Sequence, residues 1–242
     1  PSLMGSLMGG EDDSIVVQLP HDAMVHEERT PDTANGTQTG YWPSGIYTYE
    51  KTLFAPGEWK DKTAILEFEG VYSNAMVYVN EDLAATQLYG YGNFYVVLDK
   101  YLNYGADNQI MVIANNVEPN SRWYSGSGIY RDVNLMVGAR IHIPADGVRI
   151  TTPTVDPEAS VVEICVDVKN LSRDREKVNV VSTITFDDKV VGEDTSVVTM
   201  FGQEQEEVIQ RICIKDAKLW DCDNPNLYQC QVKIYAGEEL LD

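Results

Sequence analysis

The chain has 242 residues, of which 43% are hydrophobic, and it carries 38 acidic against 18 basic side chains, for a formal net charge of −20 at pH 7. A surface this negative repels phosphate backbones and anionic lipid headgroups, which argues against nucleic acids and membranes as partners. No apolar run approaches the roughly 18 residues that a membrane-spanning helix requires, and the length allows one large domain or two ordinary ones.

The N-terminal residues differ from the rest of the chain. Residues 1–13 begin PSLMGSLMGG and lack both the basic start and the apolar core of a secretory signal peptide. We therefore interpret them as a leader that is disordered or was added in cloning, and we argue the fold from residue 14 onward.

From residue 14 onward, strand patterns dominate and helical periodicity is nearly absent. In residues 63–70, Leu66 and Phe68 alternate with Glu67 and Glu69, which is the period of a half-buried strand. Comparable patterns predict strands in 74–87, 108–116, 161–170, 178–191, 207–216 and 227–237. Short strands at close spacing, separated by polar turns, are typical of antiparallel β-sandwiches.

Turn residues punctuate these strands. Asn80 to Asp82 predict a tight turn inside 74–87, and Asp187-Asp188 predict the tip of a hairpin. One short helical turn is expected at 98–105, ended by Gly105.

A break in the pattern falls at about 138–153, where two prolines and an Ala-Asp-Gly turn interrupt the strands. Three of the four tryptophans precede this break. We predict an all-β chain with a jelly-roll sandwich of the galactose-binding-domain type at 14–138 and an immunoglobulin-like sandwich at 139–242. Trp220 and Tyr228 are expected to anchor the core of the second sandwich.

The segment NSRWYSGSGIYRDV, residues 120–133, has three interpretations. As a phosphate loop it lacks the third glycine, since Arg131 stands there, and no helix pattern follows. As a sugar platform it offers aromatic rings beside polar groups. These are Asn116, Asn120, Ser121, Arg122, Trp123 and Tyr124. As a purely structural corner it uses two glycines to bend the chain back into the core, and this function is compatible with the platform.

Other reactive side chains favour structural roles. His21-Asp22 resembles a catalytic pair, but no third partner is evident, so we expect hydrogen bonds that hold a turn. None of the four cysteines forms a Cys-x-x-Cys pair, which argues against a zinc site and favours free thiols, although Cys165 and Cys213 could face each other across a sandwich. Two Asn-x-Ser/Thr sequons, at Asn35 and Asn170, are too short to carry weight.

Several stretches together resemble glycoside hydrolase family 2, which includes β-galactosidases, β-glucuronidases and β-mannosidases. The stretch NNVEPNSRWYSGSGIYRDVNL (115–135) is similar to the signature near the end of the family's N-terminal sugar-binding domain. Further resemblances, in family order, are VVQLPHDAMV (16–25), TGYWPSGIYTYEKTLFAP (39–56), GYGNFYVVLDKYLNYGADNQIMVIANN (90–116) and LWDCDNPNLYQCQVKI (219–234).

The resemblance implies that catalysis belongs to another domain. In this family a (β/α)₈ barrel carries the two glutamates of a retaining mechanism, and no stretch of this chain matches that barrel. The implied function is the non-catalytic N-terminal portion of a family 2 glycoside hydrolase, with a β-galactosidase as the best single choice. By itself the chain is expected to hydrolyse nothing, whereas the full-length parent is an enzyme. No cofactor and no metal are implied.

The resemblance also implies partners and site residues. The partners are a carbohydrate substrate with a terminal β-linked sugar and the catalytic barrel of the same polypeptide; homo-oligomerisation of the full-length enzyme is left open. The implied substrate-binding residues are Asn116, Ser121, Arg122 and Trp123. Some β-galactosidases have a carboxylate at the position of Ser121. Because this chain has serine there, the loop does not offer a carboxylate at that position to bind a sugar hydroxyl. The alternative is a self-standing carbohydrate-binding or adhesion module without a catalytic domain.

Overall fold

A computed structural model describes residues 14–117 and 119–242, so the predicted leader at 1–13 lies outside the described residues. Within these residues the fold is all-β, as predicted. Three short 3₁₀ turns occur at Ala23–His26, Gly36–Thr39 and Gly57–Asp61. The strands are β1 (Ile46–Ala55), β2 (Lys62–Phe68), β3 (Ala75–Val79), β4 (Asp82–Gln87), β5 (Phe94–Val97), β6 (Ala106–Asn115), β7 (Val133–Ala139), β8 (Ile141–His142), β9 (Val148–Thr154), β10 (Ala159–Asn170), β11 (Glu176–Phe186), β12 (Lys189–Met200), β13 (Gln205–Lys215), β14 (Gln229–Ala236) and β15 (Glu239–Leu240).

The first seven strands form two sheets. One has the order β1-β6-β3-β4 and the other the order β5-β2-β7. Burial alternates along the strands: Val77 and Val79 of β3 are fully buried, and Leu66 and Phe68 of β2 are nearly so. Because successive side chains of a strand point to opposite faces, this alternation gives each sheet one buried face.

The later strands form two further sheets, ordered β13-β10-β8, with β9 also paired to β10, and β12-β11-β14-β15. The pairings of β10 with β13 and of β11 with β12 and β14 are antiparallel. Apolar residues from both sheets form one cluster, as a β-sandwich requires. Its members are Ile141, Ile164, Val166, Val168, Val178, Val180, Ile184, Met200, Val208, Ile212, Ile214 and Ile234.

The described residues fall into two compact units. The first contains 14–53, 66–96 and 107–135, and the second contains 54–65, 97–106 and 136–242. These units are not two consecutive halves of the chain, and the predicted domain boundary between residues 138 and 139 stays a prediction.

The predicted turns are present. Asn80 and Glu81 both have positive φ between β3 and β4, and Asp187 and Asp188 do so between β11 and β12. At 98–105 the predicted single turn is present: the amide of Leu102 donates to the carbonyl of Leu98, and Gly105 has positive φ where the turn was expected to end.

Two predictions about single residues need comment. Trp220 was expected in the core and is instead 58% exposed, whereas Tyr228, also expected there, packs against the apolar cluster of the later strands. Cys165 lies opposite Ile209, so it does not face Cys213, and all four cysteines are free thiols. Among the described residues, no helix is long and apolar enough to cross a membrane.

Candidate functional site

The candidate site is a corner of the first unit where residues 20–26 meet residues 116–130. The amide of His21 donates to the carbonyl of Ile129, and the amide of Ala23 donates to the carbonyl of Ser127, both over 2.7 Å. The amides of Tyr72 and Gly128 each donate to the other's carbonyl in an isolated bridge. The glycine-rich segment is therefore fixed from two sides by backbone hydrogen bonds.

Asp22 is the side chain that ties this corner together. Its Oδ1 accepts from the amide of Met24 at 3.1 Å, which caps the first 3₁₀ turn, and from the amide of Ser127 at 2.9 Å. Its Oδ2 accepts from the hydroxyl of Tyr124 at 2.6 Å. Burial and this carboxylate together raise the pKa of Tyr124 above its ordinary value. With its oxygens engaged in this way, Asp22 holds the turn, as predicted, and no catalytic role follows.

The two central glycines are required for geometric reasons. Gly126 has φ +71° and Gly128 has φ +119°, conformations that L side chains rarely adopt. A Cβ on Gly126 would lie 3.1 Å from Oδ2 of Asp22, and one on Gly128 would collide with the hydroxyl of Tyr49. The segment is a tight corner and not a phosphate loop, since no helix begins after it.

Asn116 supports the corner from within. It is 1% exposed, and its Nδ2 donates to the hydroxyl of Ser127 at 2.6 Å and to the carbonyl of Gly126 at 3.1 Å. Its Oδ1 accepts from Nδ2 of Asn120 at 2.6 Å. The amide group is thus occupied by the protein itself, so direct contact with a ligand requires these bonds to open.

Asn120 extends this network to the first sequon. Its Oδ1 accepts from Nδ2 of Asn35 at 2.6 Å, and its Nδ2 also donates to the hydroxyl of Ser44. Asn35 is 6% exposed and the second sequon residue, Asn170, is fully buried. In the folded chain both sequon side chains are therefore shielded from modification.

The other three predicted residues lie on the outside of the corner. The hydroxyl of Ser121 donates to the carbonyl of Trp123 at 2.8 Å and is partly exposed. Arg122 is exposed and makes no hydrogen bond or ion pair with the part of the chain that the structure describes. Trp123 is 57% exposed, and its Nε1 donates to the hydroxyl of Tyr91 at 3.3 Å. The structure brings these three together at one surface, with Asn116 beneath them.

Trp123 belongs to an aromatic surface, which we define as Tyr89, Tyr91 and Trp123. Tyr89 is 64% exposed and its ring lies edge-on to that of Tyr91, 5.8 Å between centroids. Trp42 and Tyr124 form a similar edge contact at 5.7 Å. Flat rings held in place by one another and by hydrogen bonds are suited to stacking on the apolar faces of sugar rings.

Tyr89 and Tyr91 were missed in the search for site residues. The sequence placed them in the stretch before a predicted strand, far from Trp123 in the chain. Only the hydrogen bond between Tyr91 and Trp123 shows that they share a surface. The one available signal was the density of tyrosine and glycine in residues 88–95.

The histidines at this corner are structural. Nδ1 of His21 lies 2.9 Å from the hydroxyl of Tyr49, and the ring stacks on that of His26 with centroids 5.2 Å apart. Burial lowers the pKa of His21, as does the nearby His26, while Asp22 opposes the shift. Burial raises the pKa of Tyr49 to about 12. The lowered pKa favours neutral His21 at pH 7, with the hydroxyl of Tyr49 and the ring of His26 as its ring contacts. In the described parts of the chain, no group of three or more His, Cys, Asp or Glu side chains is placed to hold a metal ion.

Comparison with known proteins agrees with the resemblance. The model of the family "Glycosyl hydrolases family 2" matches residues 141–242. A β-galactosidase of Bacteroides ovatus, BoGH2A, is 33% identical over 237 residues, which covers 96% of this chain and 28% of that protein. A putative β-glucuronidase of Formosa agariphila is 30% identical over 227 residues, 94% of this chain and 21% of that protein.

Solved structures resemble the whole described fold. A glycosyl hydrolase family 2 member from Bacteroides cellulosilyticus superposes with a TM-score of 0.87 at 29% identity, over 93% of this chain and 30% of that one. A putative β-galactosidase from Bacteroides fragilis gives a TM-score of 0.84 at 28% identity, over 93% of this chain and 35% of that one. The chain thus spans between about a fifth and a third of the length of these relatives.

Proposed function

The chain belongs to glycosyl hydrolases family 2, and from this premise we propose that it is the non-catalytic N-terminal region of a longer β-glycosidase, with β-galactosidase as the first choice. Catalysis would take place in a (β/α)₈ barrel outside this chain, through the two carboxyl groups of a retaining mechanism. This region would buttress the barrel and shape the pocket for a terminal β-linked sugar.

The proposal is supported chiefly by how much of this chain and how little of each relative the alignments cover. Relatives named as β-galactosidase and β-glucuronidase align over nearly all of this chain, but the alignment covers only 28% and 21% of their own lengths. A region that is shared entirely, yet forms a minor part of each glycosidase, is expected to have the same supporting role in a longer protein.

Trp123 is the residue that we propose to contact the sugar. Its ring is 57% exposed, and it is held by Tyr91 on one side, with the hydroxyl of Ser121 bound to its carbonyl. A ring ordered before binding loses little conformational freedom when it stacks on a pyranose. Arg122, exposed beside it, offers donors to sugar hydroxyls.

Asn116 has a different place in this proposal. Because it is 1% exposed and bonded to Ser127 and Asn120, we assign it a positioning role. It holds the corner that presents residues 121–124, and it does not itself meet the sugar. Ser121 lacks a carboxylate, so hydroxyl recognition from this position uses only a neutral hydroxyl.

The test compares the chain alone with the longer natural polypeptide. We expect the longer protein to hydrolyse 4-nitrophenyl β-D-galactopyranoside, and the chain alone to release no nitrophenol at any concentration. The β-D-glucuronide is assayed in parallel, since relatives of both names align. If the longer protein hydrolyses only the glucuronide, the proposed substrate changes from a galactoside to a glucuronide, and the supporting role of this region stands.

Calorimetric titration separates the proposal from the alternative module. Galactose and lactose should give little or no heat with the chain alone, because half of the pocket is missing. Micromolar binding by the chain alone, together with a natural polypeptide that has no glycosidase activity, would identify a self-standing carbohydrate-binding module.

A further inference from the structure

The loop between β13 and β14, residues 216–228, is closed by its own hydrogen bonds. The hydroxyl of Tyr228 accepts from the amide of Lys218 at 2.8 Å, and Nδ2 of Asn226 donates to the carbonyl of Leu219 at 2.8 Å. Oδ1 of Asp221 accepts from two backbone amides further along the loop, at 2.7 and 2.8 Å. These amide bonds lower the pKa of Asp221, which keeps its carboxylate ionised. The loop is therefore a defined structure and not a loose connection.

Its apolar side chains point outward. Trp220 is 58% exposed, Leu227 is 76% exposed and Leu219 is 36% exposed. The hydrogen bond between Asn226 and the carbonyl of Leu219 brings the backbone before Leu227 close to the backbone before Trp220. Of the two aromatic residues expected in the core, only Tyr228 packs against it, with its ring centroid 4.8 Å from that of Phe186. We call Leu219, Trp220 and Leu227 the Trp220 patch.

Exposed apolar side chains on an ordered loop indicate a binding surface. Exposure of apolar surface to water is unfavourable, so a partner that covers such a patch gains free energy on binding. Tryptophan is the residue most enriched among the few that dominate the energy of an interface. Polar contacts inside the loop already fix the patch, so little ordering entropy is lost when a partner covers it.

The charge of the chain argues against a second copy as the occupant. Each copy carries a net charge of −20, and Asp221 follows Trp220 directly, with Lys218 two residues before it and Asp223 three residues after it. Two such patches face to face would bring like charges together around an apolar centre. The patch instead fits a surface with an apolar centre and a basic rim.

The proposed whole protein contains further polypeptide, and this polypeptide is the occupant that the extent of the relatives favours. The relatives extend well beyond the aligned region, which makes up only 28% of the β-galactosidase of Bacteroides ovatus. We propose that the Trp220 patch is the surface on which the polypeptide following residue 242 docks, with Trp220 as the central anchor. This inference rests on the proposed function, since it names where the second unit supports the catalytic domain.

The position of the patch in the second unit provides a matched control. The loop leaves β13 after Lys215, which pairs with Ala159, and enters β14 at Gln229, which pairs with Thr185. Phe201 follows Met200, which pairs with Glu176 at the other end of β11. Phe201 is 51% exposed, so it is an aromatic side chain of similar exposure at the opposite end of the same sandwich.

The test is site-specific photo-crosslinking in the longer natural polypeptide. The variants Trp220→p-benzoylphenylalanine and Phe201→p-benzoylphenylalanine are irradiated at low protein concentration, and the joined peptides are identified by mass spectrometry. We expect the first variant to give an intramolecular product with a peptide after residue 242, in several-fold higher yield than the second. Amide exchange in residues 217–228 should also be slower in the longer polypeptide than in the chain alone.

The outcomes separate this inference from the proposed function. A longer protein that hydrolyses β-galactosides but gives no such product from position 220, and shows no slowing of exchange, would overturn the docking surface and leave the function standing. Products that join only two copies would identify a dimer interface instead. If the longer protein has no glycosidase activity but gives the intramolecular product, the surface stands and the proposed function fails.

Discussion

Oδ2 of Asp22 lies 2.6 Å from the hydroxyl of Tyr124, although 102 residues separate the two in the chain. The same carboxylate accepts from the amide of Ser127. Asp22 thereby clamps the loop that presents Trp123, and this clamp connects the stability of the fold to the geometry of the candidate site.

Removing the clamp should destabilise the first unit. We expect Asp22→Ala to lower the free energy of unfolding by about 2 kcal/mol, because a hydrogen-bonded carboxylate with buried amide partners is lost. Urea denaturation of the chain measures the change. Asp82→Ala, at an exposed position at the start of β4, is the control and should change stability by less than about 0.5 kcal/mol. Equal effects of the two substitutions would contradict the clamp.

The backbone conformation at Gly128 gives a second prediction. Gly128→Ala should destabilise the chain by about 1–3 kcal/mol, because φ is +119° and the added methyl group would meet the hydroxyl of Tyr49. Gly138→Ala is the matched control, since no atom lies within 4 Å of its added Cβ. Thermal unfolding of both variants is the measurement, and a Gly128→Ala variant as stable as the control would show that the corner tolerates a side chain.

The role of Trp123 is tested by activity. In the longer polypeptide we expect Trp123→Ala to reduce kcat/KM on the galactoside by about tenfold or more, because stacking on the sugar is lost. Trp123→Phe, which keeps a flat ring, should recover part of that loss. Phe201→Ala removes an equally exposed aromatic ring elsewhere and should leave kcat/KM unchanged. An unaltered kcat/KM in a folded Trp123→Ala variant would make this loop purely structural.

The thiols should react in two classes. Cys213 and Cys222 are exposed, whereas Cys165 is buried and Cys230 is half-buried. Burial raises the pKa of Cys230, which further lowers its thiolate content. With a disulfide reagent such as DTNB we expect fast labelling at Cys213 and Cys222, and labelling at the other two only after denaturation. Tryptic mass spectrometry identifies the sites, and fast labelling of Cys165 in the folded chain would contradict its burial.

His142 predicts a pH dependence of stability. It is 9% exposed and its Nδ1 has no partner among the described residues. Burial lowers its pKa and Lys169 adds to this shift, while hydrogen bonding to the backbone of Arg140 and Ala139 and the charge of Asp242 oppose it. Since the unfolded chain binds the proton more tightly, the stability from neutral His142 is present above about pH 6.5 and is lost as the pH falls toward the folded value. His142→Gln should therefore lose less stability than the parent chain between pH 7 and pH 5. Urea denaturation of both proteins at several pH values provides the comparison. The same change in unfolding free energy with pH in both would show that His142 is not the cause.

The strands could be read from the sequence because their burial alternates with a period of two residues. Leu66 and Phe68 show that period in β2, and the paired aspartates at 187 and 188 mark the hairpin tip that the structure has. Side-chain periodicity and turn chemistry are local properties, so they survive without tertiary information. The glycine corner at 126–128 was readable for the same reason.

The composition of the site was decided by tertiary structure. Asn116 and Trp123 stand close together in the sequence, yet one is 1% exposed and the other 57% exposed. Tyr91 joins Trp123 only through a contact between residues 32 positions apart. The sequence also placed both Trp220 and Tyr228 in the core, but only Tyr228 packs against it and Trp220 is 58% exposed. A sequence shows which side chains are aromatic or polar, but packing between distant segments determines which of two similar rings is buried and which one faces the solvent.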